Sequence, residues 1–254
     1  MTWPVLSFAD ETAQELVARS IEYHGGELYK STRTTLELCS KSGCSALDVF
    51  RDYGLYEYCA TAKVQAGAMV KAREQRVCAS NDRATQWLDG AVVTTGAPPG
   101  SSVALARDTS LRDWVMARVY FAFLPSRLDD PSVALEDLGS EDWEGRALRK
   151  VKVTFEAGTS TDAADEFLYW FDPGTARLEQ FAYSYERNDG GIRFRKLFNY
   201  RRKGGILFFD QENYGVNGPG LSVDLVSPEF FRDSMHHVST VELKDILVAV
   251  VRLG

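Results

Sequence analysis

The sequence predicts an α+β protein built on antiparallel strands, and three observations predict it. From Leu148 to Asn213 apolar and polar residues alternate with a period of two. That run is cut by short turn signals, Asp172-Pro-Gly-Thr175, Asn188-Asp-Gly-Gly191 and Gly204-Gly205, of the length that joins antiparallel neighbours. Helical periodicity is confined mainly to two stretches ahead of it, Asp10–Tyr23 and Leu111–Phe123.

In chain order, Asp10–Tyr23 reads as a helix with Asp10 as N-cap and Thr12 as the alternative, and His24-Gly25-Gly26 stops it. Thr34–Cys39, Leu47–Phe50 and Leu55–Cys59 read as strands, the last with Tyr56 and Tyr58 on one face. Ala68–Ala79 and Ala84–Leu88 continue the pattern, Asp89-Gly90 is a hairpin turn, and Gly96–Ser102 is a loop. The second helix ends at Leu124-Pro125, and Asp129–Pro131 turns the chain.

From Leu148, residues Arg149, Val151, Val153 and Phe155 face one way. Phe167–Phe171 is apolar on both faces and should be covered on both. Leu178–Arg187 follows with Phe181, Tyr183 and Tyr185 on one face, then Ile192–Tyr200 and Ile206–Asn213. Ser227–Asp233 reads as a short helix and Val238–Val251 as a last strand, with a helix as its alternative. Neither repeat nor low-complexity linker interrupts the chain, so one domain over residues 1–254 is expected.

Composition excludes several classes. Hydrophobic residues are 44 % and aromatic residues 12 % of 254, enough for a sizeable core. A net charge of -7 argues against nucleic acid as a partner. No apolar run reaches the roughly 18 residues of a membrane-spanning helix. The start, Met1–Phe8, lacks the basic opening of a signal peptide; a native cytoplasmic start and a removed leader are both compatible with it.

Cys39, Cys44, Cys59 and Cys78 are spaced unlike a zinc knuckle, and the three histidines do not complete one. Two disulfides fit better than metal. Four cysteines allow three pairings; Cys39–Cys44 with Cys59–Cys78 would stabilise by roughly 2 and 3 kcal/mol on a loop-entropy model. Four buried free thiols are the alternative.

Catalytic motifs are absent: no nucleophile elbow, P-loop or H-E-x-x-H is present. His24 is a candidate base, more simply a dipole partner at a helix end. Asp162, Asp165 and Glu166 beside the loop Ala157–Thr161 form an acidic cluster, more simply a solvated hairpin end. The basic group Arg193, Arg195, Lys196, Arg201, Arg202 and Lys203 contains two arginines on one strand face that could clamp an anion; the alternative is a surface salt-bridged with Glu186 and Asp189. Aromatic faces carry the better signal. Phe167, Tyr169 and Phe171 alternate onto one face, as do Tyr183 and Tyr185, and Phe194 and Phe198. Each buried ring contributes roughly 1.5–3 kcal/mol as plain core, but buried tyrosines also need hydroxyl partners, which suits an apolar pocket with polar handles.

Ser20–Gly26, Val119–Pro125, Leu128–Pro131, Lys152–Phe155, Phe167–Asp172, Ala182–Tyr185, Gly190–Arg195 and Tyr200–Ile206 together resemble an uncharacterised bacterial family of secreted or lipoprotein-like proteins, classed as a domain of unknown function. The resemblance runs from about Glu15 to Tyr214 and is densest from Val119 onward; the chain departs from it in its cysteines and beyond Tyr214. That family is similar in architecture to the LolA/LolB lipoprotein carriers. The resemblance implies a curved antiparallel half-barrel, with an N-terminal and a central helix on its concave face and acyl chains held between sheet and helices.

The expectation is thus a non-catalytic cell-envelope binder of a lipid, acyl chain or other apolar molecule, periplasmic or secreted, without cofactor or metal, and with membrane-surface association as an option. Tyr169, Tyr183, Tyr185 and Phe194 would line its cavity, Trp114 and Phe123 would cover it, and Arg193 and Arg195 would hold an anionic headgroup. The rivals are a hydrolase or isomerase using the acidic cluster or His24, and a structural envelope protein with a filled barrel.

Overall fold

The computed structural model describes residues 11–65, 71–93, 102–155, 166–186 and 189–251, with backbone only for 102–109. The chain divides into two compact units. Unit one comprises Met1–Gly25, Pro125–Tyr200 and Asp210–Thr240; unit two comprises Gly26–Leu124, Arg201–Phe209 and Val241–Gly254. The two alternate along the sequence, so no single linker separates them.

The α+β class and the antiparallel strands are as expected. Thirteen strands are described: β1 Thr32–Ser40, β2 Gly43–Asp52, β3 Leu55–Val64, β4 Arg73–Ser80, β5 Ala84–Leu88, β6 Ala91–Val92, β7 Val133–Trp143, β8 Arg146–Phe155, β9 Phe167–Phe171, β10 Leu178–Tyr185, β11 Gly191–Lys203, β12 Ile206–Asn217 and β13 His236–Val250. Their order is β6-β5-β4-β3-β2-β1-β13-β12-β11-β10-β9-β8-β7, an open sheet. Three α-helices accompany them, α1 Ala13–His24, α2 Ser102–Ala122 and α3 Pro228–Ser234.

Helix α1 starts from Thr12. The Thr12 hydroxyl accepts from the Glu15 N–H (3.2 Å), and the Glu15 carboxylate accepts from the Thr12 N–H (2.9 Å), a reciprocal capping box. The other expected cap, Asp10, lies outside the described residues, as do the start of the Ala68–Ala79 stretch and most of the Gly96–Ser102 loop. Helix α2 begins earlier than the expected Leu111. Asp89-Gly90 makes its hairpin with both φ angles positive, 48° and 80°, the conformation an Asp-Gly turn is chosen for.

Strand β7 is the element that sequence periodicity did not mark. It is acidic, lies at the end of the strand order, and carries a bulge between Asp137 and Ser140 where Gly139 takes φ 78°. The bulge breaks the period of two, and its charges are those of an edge strand.

In unit one the sheet has two differently furnished faces. Leu168, Trp170, Ala182, Ile192 and Phe194 form one, with Trp143 and Leu148, and pack against Val223, Val226 and Phe231 of the segment that ends in α3. Trp143 stacks on Phe194 at 5.0 Å, and the indole N–H groups of Trp143 and Trp170 both donate to Glu141 at 2.7 Å. The other face carries Arg149, Val151, Tyr169, Phe171 and Phe181. Here α1 is tied down through Arg19, which donates to the carbonyls of Pro173 (2.9 Å) and Gly174 (3.2 Å), and through His24.

In unit two, α2 packs on β3, β4 and β5. Tyr58, Ala60, Val77 and Ala79 are buried, and Val115, Val119 and Phe123 of α2 and its end are buried with them. Arg112 of α2 donates to the Tyr56 hydroxyl at 3.0 Å and to the Ser80 carbonyl. Both disulfides lie on the opposite side of these strands, Cys39–Cys44 joining opposed residues of β1 and β2 and Cys59–Cys78 those of β3 and β4.

Candidate functional site: an aromatic and arginine face

The candidate site lies within unit one, on β9, β10 and β11. Register places Tyr169 opposite Phe181, Phe167 opposite Tyr183, and then Arg195 opposite Phe181 and Arg193 opposite Tyr183. Rings stack across and along the strands: Phe167–Tyr183 at 5.4 Å, Tyr169–Phe181 at 5.7 Å, Tyr169–Phe171 and Phe181–Tyr183 at 6.4 Å. The stack is graded. Tyr169, Phe171 and Phe181 are fully buried, while Tyr183, Tyr185, Arg193 and Arg195 are half-buried.

The half-buried end is polar in a particular way. Tyr185 donates to Asn217 Oδ1 (2.9 Å), Arg193 donates to the same oxygen (3.0 Å), and the Arg193 guanidinium lies 4.7 Å over the Tyr185 ring. Arg195 donates to the Tyr183 hydroxyl (3.4 Å) and to Gln211 Oε1 (3.5 Å). Arg193 can lie flat because Gly215 stands beneath it: a Cβ there would come within 2.6 Å of the guanidinium. These partners of Arg193 are neutral, so its charge is oriented without being neutralised, which is what recognition of an outside anion needs. The expected pairing with Glu186 and Asp189 is not what holds it. Lys196 does pair with an acid, Glu144, at 2.9 Å.

Of the residues expected to act together, Tyr169, Tyr183, Tyr185, Arg193 and Arg195 share this face. Phe194 does not: it opposes Ala182, so it points to the other side and is buried under Trp143 and Phe231. A residue between two arginines on a strand must face away from both. Trp114 and Phe123 belong to unit two. Trp114 is half-buried with the Arg118 guanidinium 3.7 Å over its ring; Phe123 is buried edge-on to Phe208 at 5.8 Å. Gly215 and Asn217 were not singled out. The signal was available, since a glycine inside a strand often marks a close approach.

Two open grooves of about 490 and 360 Å³ are present, both in unit two along β4 and β5; none of the aromatic-face residues lines them. The expected cysteine pairs are both formed. Glu37, Cys39 and Cys44 bring ligand atoms within 4.8 Å of one another, but the two sulfurs are bonded to each other and present no thiolate.

Neither catalytic alternative gains support. The His24 ring is fully buried, and its Nε2 accepts from the Leu178 N–H at 3.4 Å, fixing the turn before β10. Asp162 and Asp165 lie outside the described residues; Glu166 pairs with Lys152 at 3.2 Å. The carboxyls with shifted titration serve structure. Hydrogen bonds from Lys152 hold the Asp224 carboxyl below its usual range. Burial raises that of Asp172, but donation from the N–H and hydroxyl of Thr175 outweighs it and the net shift is downward. Burial and then the bond to Glu212 push the Tyr214 hydroxyl up to about 12.

Comparison with known proteins bears on the fold. The model of a family described as "Family of unknown function (DUF6503)" matches residues 101–219. No curated protein matches the chain. Among solved structures, a LolA superfamily protein from Nitrosomonas europaea matches with a TM-score of 0.50 at 9 % identity, covering 96 % of this chain and 94 % of that one. A domain assigned to outer-membrane lipoprotein sorting from Vibrio parahaemolyticus gives 0.46 at 11 % identity over 93 % and 90 %. The lipoprotein LppX of Mycobacterium tuberculosis gives 0.31 at 13 % identity over 71 % and 92 %. The first shares the fold; the other two are weaker likenesses and add nothing to it. Family of unknown function and LolA-like fold are what the sequence resemblance implied.

Proposed function

We propose that the chain is a non-catalytic binding protein for an apolar molecule with an anionic end, a lipid or acyl chain. The observation that carries this reading is the graded face of unit one, where fully buried rings give way to half-buried Tyr183 and Tyr185 with Arg193 and Arg195 beside them. An apolar chain would lie along the rings, and its carboxylate or phosphate would meet the guanidiniums. Tyrosine suits such a site because one end is apolar and the other can hydrogen-bond. The LolA-like fold supports the reading by analogy only. Two disulfides support an oxidising compartment, periplasmic or extracellular, and no helix of the described residues is long and apolar enough to cross a membrane.

The test is titration with a fluorescent fatty acid. The unaltered protein should show saturable binding, and Tyr183→Asp should weaken it at least about tenfold, or 1.4 kcal/mol, while far-UV circular dichroism stays unchanged. Equal affinity in the two proteins would remove Tyr183 from the site and the proposal with it.

A further inference from the structure

The two disulfides of unit two invite a comparison. Each joins directly opposed residues of a hairpin, and both lie on the side of the strands away from α2. Their electrostatic settings are opposite. At Cys59–Cys78, Arg76 donates from Nε to Cys78 Sγ (3.4 Å) and from Nη2 to Cys59 Sγ (3.6 Å). At Cys39–Cys44 the neighbour is a carboxylate, with Glu37 Oε2 3.9 Å from Cys39 Sγ.

Access differs too. Cys78 lines both grooves, with Trp87 and Glu57 common to the two, Arg76 in the larger and Arg83 in the smaller. Cys59 is buried and lines neither. One sulfur is therefore presented to a molecule in the groove and the other is shielded beside a guanidinium.

We propose that Cys59–Cys78 is a site of thiol–disulfide exchange assisted by Arg76, and that the groove beside Trp87 admits a small thiol. The thiolate attacks Cys78 Sγ and forms a new S–S bond to it. The Cys59–Cys78 bond breaks, and its electron pair leaves on Cys59 Sγ as a thiolate beside Arg76 Nη2. A second molecule of the thiol then attacks the first molecule's sulfur in the mixed disulfide, releasing the Cys78 thiolate and the oxidised thiol dimer; the protein pair is reduced and two thiols are oxidised. A nearby cation lowers the pKa of a leaving thiol and speeds its departure, whereas Glu37 disfavours both an anionic attacker and a thiolate at Cys39.

The experiment is a time course of the full chain in reduced glutathione. Free thiols are trapped by alkylation and assigned by peptide mass spectrometry, so each disulfide reports its own rate. Both pairs should open in the unaltered protein, which sets the two reference rates. Arg76→Gln should slow opening of Cys59–Cys78 roughly three- to tenfold while the Cys39–Cys44 rate stays constant, the scale expected from about one to two units of thiol pKa at a Brønsted slope near a half. An unchanged Cys59–Cys78 rate in Arg76→Gln overturns the proposal. If both rates rise together in Arg76→Gln, that variant has loosened, and Arg76→Lys decides: a rate within about twofold of the unaltered protein supports the role of the charge, and a rate as slow as an uncharged side chain should give contradicts it.

Discussion

The two faces of the unit-one sheet are made by the same strands, yet they are finished in opposite ways. The face of Trp170, Ala182 and Phe194 is sealed by Val223, Val226 and Phe231, and two of its polar groups, the indole N–H groups, share one carboxylate on Glu141. The face of Tyr169, Phe181 and Tyr183 instead ends in hydroxyls and guanidiniums that are half-buried. A sealed face maximises apolar burial. The other keeps oriented donors and one arginine whose partners are neutral. The difference separates core from candidate site more sharply than aromatic content, which is high on both.

That contrast can be broken from the sealed side first. Trp170→Ala should cost about 3–5 kcal/mol, the range for removing a fully buried large aromatic side chain. Urea denaturation measures it, and a loss under about 1 kcal/mol would mean that this face is not core. Glu141→Ala removes the acceptor of two indoles and the partner of Lys150 (3.1 Å). A loss of roughly 2–3 kcal/mol is expected, and Glu141→Gln should recover part of it by keeping one acceptor oxygen.

The other face should respond in binding more than in stability. Gly215→Ala puts a Cβ where the end of the Arg193 side chain now lies. The guanidinium can swing away, so the stability change should stay within about 1 kcal/mol. Affinity for an acyl carboxylate should fall while affinity for an uncharged apolar probe holds; equal losses for the two probes would contradict an anion-holding role for Arg193.

The smallest effect concerns pH. The Asp172 carboxyl titrates below its usual value in the folded state. A depressed folded pKa contributes stability above the unfolded value near 3.9, and that contribution is lost as pH falls through the folded value. Asp172→Asn should therefore flatten the acid limb of the stability curve below about pH 4 and leave its slope above pH 6 unchanged. An acid limb of unaltered slope would remove Asp172 from the account.

Much of the fold was legible in the sequence because strands and turns advertise themselves locally. The period of two from Leu148, Asp89-Gly90, Asp172-Pro-Gly-Thr175 and the short helix read over Ser227–Asp233 all lie where the structure has strands, turns and a helix. Strand β7 was hidden by its bulge and its charge. The site was legible only in part. Alternation puts Arg193 and Arg195 on one face, and by the same rule it sends Phe194 to the other, a consequence that aromatic content masked. Gly215 and Asn217 act across strands, through a close approach and a shared acceptor, and such pairings are not contained in local periodicity.

The most direct test of the central claim is photolabelling with a fatty acid that carries a diazirine on its chain, followed by peptide mapping. Labels should concentrate on peptides of β9 to β11, at Tyr169, Tyr183 and Tyr185, and should be competed away by unlabelled fatty acid. Labels concentrated on 223–235, over the sealed face, or spread without competition, would contradict it.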